Sequence, residues 1–321
     1  MQIVLKQFEN KGFSRKATEL LMSSWRAATQ KQYRSYIEKW LRFCCSHEFD
    51  PLSPGIVEVV NFLTDMYEQG LGHSAISTAH SALATFITLD NVPLGQHPII
   101  SRLIKGVFAS RPVIPKTNVI WDPQIVLKYL KRLSPCKKLN LSVLTWKLAV
   151  LTALLTGQRA QSLHMIDIRN ISISNSKVKI RFGDLLKQSR PGFQLNEITI
   201  KAYAPDKRLC LIVLLNEYLN RVKNLRGENF RLFLTTQPPY KAASQQTIAR
   251  WIKQTLAKAG LDVSIFSPHS TRSAATTKAN SANIPLLTIL KTAGWSCEST
   301  FAKYYNKTLI NEGVFADAIR A

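Results

Sequence analysis

A proline-punctuated break about a third of the way along the chain restricts how it can fold. Residues 111–117 read Arg-Pro-Val-Ile-Pro-Lys-Thr. Each proline fixes its own φ and removes a backbone N–H, so neither a helix nor a central strand can run through. The stretch has no apolar periodicity and reads as an extended linker. It cuts 321 residues into two segments, each long enough for its own core. The expected division is a domain over 1–110, a linker over 111–121 and a second domain over 122–321.

The first segment reads as helical throughout. Tyr33, Tyr36, Ile37, Trp40, Leu41 and Cys44 recur at helical spacing and predict a helix over 27–47. Ser53-Pro54 has the form of an N-cap followed by proline, predicting a second helix that runs to about Glu68 and stops at Gly70. Ile76, Ala79, Leu83 and Phe86 predict a third over 73–89, and a fourth spans 98–110. Four helices of this length suggest a small bundle. The second segment is mixed. Asp122-Pro123 starts a helix, and an apolar one follows over 142–155, closed by Gly157. Short strands are predicted over 168–174, 177–182, 197–201 and 231–234, and further helices over 209–222, 244–259, 270–279, 285–293 and 311–319. The fold class is mainly α with a small β-sheet.

Charge is distributed unevenly. The chain carries 43 Lys and Arg against 20 Asp and Glu, a net +23. Residues 1–115 hold 12 basic and 9 acidic residues, leaving 31 and 11 for residues 116–321. Almost the whole excess therefore belongs to the second segment, and a nucleic acid is the natural partner. The five cysteines form no CxxC pair, so they read as buried or free thiols rather than zinc ligands. No apolar run reaches the ~18 residues of a membrane span, and the short apolar run near the N-terminus falls below a signal peptide's core. A membrane partner is not expected.

Breaking a phosphodiester without metal needs cations for the charged transition state, a nucleophile, and a proton donor for the leaving oxygen. Leu154-Leu155-Thr156-Gly157-Gln158-Arg159 sets an arginine just past an apolar helix that ends at glycine. Pro268-His269-Ser270-Thr271-Arg272 puts a histidine and an arginine three apart, on one helical face. Gly294-Trp295 is followed by Tyr304-Tyr305. Taken singly, each of these reads as well as packing or backbone contact; order and spacing give them weight.

Together, LLTGQR, a basic turn between strands, HxxR, GW and a tyrosine near the C-terminus resemble the tyrosine recombinase family. The words TGQRAQSLHMID and AGWSCESTFAKYYNK are most similar to recombinases of eukaryotic mobile elements, the DIRS/Ngaro-like retrotransposons and Cryptons. The resemblance implies an N-terminal helical core-binding domain and an α+β catalytic domain forming a clamp on double-stranded DNA, with a homotetramer in synapsis. It implies that Arg159 and Arg272 clamp the phosphate oxygens and that His269 bonds the phosphate and helps take the nucleophile's proton. Lys187, in the loop Gly183-Asp184-Leu185-Leu186-Lys187, protonates the leaving 5′ oxygen, and Trp295 donates its indole N–H to the phosphate. The nucleophile is Tyr305 on the mobile-element pattern and Tyr304 on that of the Cre and Xer enzymes. The energy of the broken bond is kept in a 3′-phosphotyrosyl link, so no cofactor, ATP or metal is required.

Two alternatives share these residues: a type IB topoisomerase-like enzyme, and an inactive DNA-binding descendant. Many relatives carry an acidic residue three after the first arginine; Ser162 stands there, beside Gln161. His164 reads as a polar residue on a helix face. A eukaryotic element implies the nucleus, and Lys128, Lys131-Arg132 and Lys137-Lys138 are the basic groups available to a targeting signal.

Overall fold

The computed structural model describes residues 1–89, 91–112, 120–187, 189–193, 197–295 and 298–304, with backbone only at Thr300, Lys303 and Tyr304. Contacts divide the chain into two units, Met1–Pro115 and Lys116–Ala321. Residues 113–119, most of the linker stretch, lie outside the described ones.

The first unit contains helices α1 (Gln2–Asn10), α2 (Arg15–Ser23), α3 (Ala27–Ser46), α4 (Ile56–Glu68), α5 (His73–Leu83) and α6 (Pro98–Ser110). The last four answer to the predicted bundle; α1 and α2 precede it. The Ser14 hydroxyl caps α2 by accepting from the Ala17 N–H at 3.2 Å, the role for which serine is favoured at a helix start. Trp40 is fully buried at the centre of this core. Its indole N–H donates to the Pro51 carbonyl at 3.1 Å, and its ring meets Phe62 edge-on, 5.2 Å between centroids. Truncating such a ring to alanine costs about 3–5 kcal/mol.

Two boundaries here differ from expectation. Helix α4 is capped by Gly55, not by Ser53-Pro54. The Glu58 carboxylate folds back over that cap so closely that a Cβ on Gly55 would sit 2.6 Å from its Oε2. Helix α5 stops at Leu83, and Thr88–Leu89 (β1) pairs antiparallel with Val92–Pro93 (β2). The β-branched Ile87 and Thr88 favour extended backbone, and Asn91 takes the left-handed conformation (φ 61°) that the tight turn needs.

The second unit contains α7 (Pro123–Arg132), α8 (Leu141–Thr156), α9 (Ala160–His164), strands β3 (Ile171–Ile173), β4 (Lys177–Arg181) and β5 (Glu197–Lys201), then α10 (Leu211–Val222), α11 (Gln245–Lys258), α12 (Ser270–Ser281), α13 (Leu286–Ala293) and α14 (Glu298–Tyr304). Helix α8 is apolar around nearly its whole circumference and so becomes the central helix. It packs against α10, α11 and α12. At its start the Asn140 side chain accepts from the Val143 N–H at 2.9 Å. The three strands form one antiparallel sheet in the order β3-β4-β5, with Val178 and Ile180 turned into the core. Glu197 on β5 meets Arg181 at 2.9 Å and Lys179 at 3.1 Å; these cations hold its carboxyl at about 2.

The strand expected over 231–234 does not form. Only isolated bridges occur, Asp167 with Arg231 and Leu234 with Ala242. Leu232, Phe233 and Leu234 are all buried, and the backbone bonds two different segments: Leu232 N–H donates to Ile166, and Phe233 C=O accepts from Ala243. The helix expected over 311–319 lies outside the described residues. No described helix is long and apolar enough to cross a membrane.

Candidate active site

The site is built on the turn that ends α8. Gly157 adopts φ +61°, and a Cβ there would lie 3.4 Å from Thr276 Cγ2 and 3.6 Å from Ala293 Cβ. The left-handed backbone is what favours glycine here; an added Cβ would meet α12 and α13 only at ordinary contact distance. Gln158 turns inward, 2% exposed, and its amide N–H donates to the Thr292 carbonyl on α13 at 2.8 Å. Arg159 then caps α9 as its N-cap residue, half-buried on the wall of a cleft.

Helix α12 supplies the second pair. His269 is its N-cap residue and Arg272 lies in its first turn. Arg272 is fully buried. Its Nη1 donates to the Gly157 carbonyl at 2.6 Å, and its guanidinium lies 4.0 Å from the centroid of the Trp295 ring. The turn that carries Arg159 thus also anchors Arg272. Trp295 is 6% exposed and supports Arg272 from behind, with Phe301 of α14 against it at 5.6 Å.

Lys187 lies on the loop between β4 and β5 and is exposed. That loop is pinned in three ways. Leu186 is fully buried, its N–H donates to Ser189 Oγ at 2.9 Å, and Asp184 pairs with Arg231 at 2.6 Å. The other lysine candidates on this hairpin are placed differently: Lys179 is engaged with Glu197 and Lys177 is exposed at the start of β4.

Gln158, Arg159, Lys187, His269 and Arg272 together wall a cleft of about 520 Å³. Larger grooves of about 730 and 990 Å³ exist, one beside α3 and α4 and one at the end of α7. The smaller one is singled out by chemistry, since it gathers the residues that an anionic reacting group requires. His269 is exposed to the cleft, yet crowding by the surrounding protein, then the charges of Arg159, Arg272 and Lys187, lower its pKa to about 4. At neutral pH its imidazole is uncharged and can accept a proton. Among the described residues, an anion entering the cleft meets Arg159 and Lys187, with Arg272 buried in the wall and neutral His269 beside them.

Of the two tyrosines, Tyr304 closes α14, and Tyr305 lies outside the described residues. Ser162 is buried, 1% exposed. His164 is tied to the Ala243 carbonyl through Nδ1 at 2.8 Å, a structural use. Gln158 and the Asp184–Arg231 pair are site features that no sequence pattern announces. Their partners lie 134 and 47 residues away, and local spacing carries no signal of such contacts.

Residues 130–309 match the phage integrase family, which is more than half of the 321 residues. The chain belongs to the phage integrase family. It is a tyrosine recombinase, in the class of enzymes that break and rejoin DNA strands. Its fold is similar to that of a lambda integrase (residues 75–356) dimer bound to a COC′ core site, with TM-score 0.55, 16% identity and 97% of each chain covered. It is also similar to XerH site-specific recombinase in a post-cleavage complex with palindromic difH substrate, with TM-score 0.60 and 14% identity over 89% of this chain and 79% of that one. A third likeness is to the Tn1549 transposon integrase (residues 82–397) carrying Y379F with transposon right-end DNA, with TM-score 0.55, 16% identity and 100% and 99% of the two chains covered. A comparison with curated proteins by sequence finds no match.

Proposed function

We propose that this recombinase acts on double-stranded DNA at a specific site, through a 3′-phosphotyrosyl intermediate, in the movement of a mobile element. The observation that carries this reading is the convergence of Arg159, Lys187, His269 and Arg272 on one cleft, with Arg272 bonded to Gly157 across 115 residues of sequence. In this reading the scissile phosphate sits against Arg159 and Arg272. Neutral His269 takes the tyrosine proton as the hydroxyl attacks phosphorus, and Lys187 gives a proton to the 5′ oxygen as it leaves. A 5′ hydroxyl from the partner strand then attacks the phosphotyrosine and frees the enzyme. Trp295 keeps Arg272 in register, with its N–H on the side of the phosphate when DNA is bound. Tyr305 is the proposed nucleophile.

The wording around Arg159 and Trp295 supports a DIRS/Ngaro-like or Crypton element, and hence the nucleus. The division at the linker supports a helical DNA-clamping domain joined to the catalytic one, and synapsis of two sites calls for a homotetramer. The test is capture of a covalent protein–DNA adduct on nicked suicide duplexes, in which departure of the short 5′ fragment prevents religation.

A further inference from the structure

Trp121 stands at the start of the catalytic unit, just before α7, and is 4% exposed. Its indole N–H donates to Ser270 Oγ at 2.8 Å, across 149 residues of sequence. The Ser270 hydroxyl donates in turn to the Ser267 carbonyl at 2.7 Å. His269 lies between Ser267 and Ser270, so this relay closes the turn that presents its ring. Two other contacts reinforce the arrangement, one between the same stretches and one within the turn. Asp122 lies 3.6 Å from Lys278 of α12, and the Thr271 hydroxyl donates to the Pro268 carbonyl at 2.8 Å. A buried indole N–H needs an acceptor, and here the acceptor is the residue next to a site histidine, so the bond fixes a direction as well.

We propose that Trp121 is a positioning residue that acts through Ser270 to hold the His269 ring against the cleft. Among the described residues, the charged groups that face that ring are Arg159 at the cap of α9, Lys187 on the β4–β5 loop and Arg272 on α12. Releasing the turn lets the imidazole swing away from all three and from the crowded wall. That His269 serves DNA cleavage rests on the proposed function; that Trp121 positions it does not, and the two fail separately because positioning is measured without DNA.

The experiment is a histidine NMR titration of the full chain, with His269 assigned through His269→Asn. The other five histidines serve as internal controls. Trp121→Phe keeps a ring but removes the donor, and Ser270→Ala removes the acceptor. Each is expected to raise the His269 pKa by about one pH unit or more, towards the ordinary value near 6.5. The double variant is expected to go no further than either single one, and Ser270→Thr, which keeps the hydroxyl, is expected to titrate as the wild type. An unchanged His269 titration in the folded single variants overturns the proposal, as does an equal shift in all six histidines, which would mark general loosening. Should Trp121→Phe fail to fold, the Ser270 pair decides.

Discussion

The guanidinium of Arg272 is stacked on the indole of Trp295, 4.0 Å from the ring centroid, while its Nη1 grips the carbonyl of Gly157. A fully buried cation is costly unless its surroundings compensate. A π face and a backbone dipole offset part of that cost here. Trp295→Ala is expected to lose about 3–5 kcal/mol from ring packing against Phe301 and α13, and strand cleavage with it. Trp295→Phe keeps a π face under Arg272 but loses the N–H, and is expected to retain most of the stability and to cleave at a rate between wild type and Ala. Denaturant unfolding beside single-turnover cleavage separates them; a Phe variant as damaged as Ala would show that the indole contributes more than a platform.

Gly157→Ala tests the shared turn. A left-handed alanine costs about 1–2 kcal/mol, and this one would also touch Thr276 and Ala293 at ordinary contact distance. Gly12 has a similar backbone (φ +82°) with nothing within 4 Å of an added Cβ, so Gly12→Ala reports the strain alone. The expected result is two comparably strained variants of which only Gly157→Ala loses cleavage, because Arg159 and the carbonyl that holds Arg272 move with it.

His269 gives the protein a pH signature. In the unfolded chain a histidine gains its proton near 6.5; in the folded chain His269 does so only at about 4. Between those values the unfolded state binds more protons, so stability rises with pH across the window. The contribution is complete above about 6.5 and is lost as pH falls towards 4. Because the ring faces a solvent-filled cleft, screening limits it to roughly 1 kcal/mol or less. The thermal midpoint of wild type is expected to fall relative to that of His269→Asn as pH drops through the window; parallel curves would contradict a depressed His269.

Lys187 is expected to matter only for the leaving group. Lys187→Ala slows cleavage of ordinary DNA by removing the general acid, a loss of typically 10²–10⁴-fold. A substrate with sulfur in place of the bridging 5′ oxygen departs as a thiolate without needing that proton. It should be cleaved by Lys187→Ala nearly as fast as by wild type. If sulfur brings no rescue, Lys187 contributes charge rather than a proton.

What is legible in the sequence is local. The apolar run of α8 and the glycine that ends it place Arg159, and the hairpin pattern around β4 and β5 places Lys187. The spacing of His269 and Arg272 puts both at the start of one helix. Other features depend on partners far away in the chain. Nothing near Trp121 announces Ser270, and nothing near Gln158 announces Thr292. Periodicity carries helix α5 past its true end at Leu83 because Phe86 continues the pattern, while the β-branched pair Ile87-Thr88 takes the chain into β1. For Trp295 the motif implies a ligand of the phosphate; its platform role beneath Arg272 appears only once α12 and α13 are packed.

The central claim is that a tyrosine of this chain becomes covalently joined to DNA. The direct measurement uses a pool of nicked suicide duplexes with a randomised core, so that the target sequence is selected by the protein itself. Adducts resistant to denaturant are recovered, and the modified peptide is located by mass spectrometry. The expected result is an adduct on Tyr305 that is abolished in Tyr305→Phe, retained in Tyr304→Phe and absent in Arg272→Ala. An adduct lost only in Tyr304→Phe would move the nucleophile by one residue. An adduct that survives both substitutions, or none from the folded wild-type chain across the whole pool, would contradict the account.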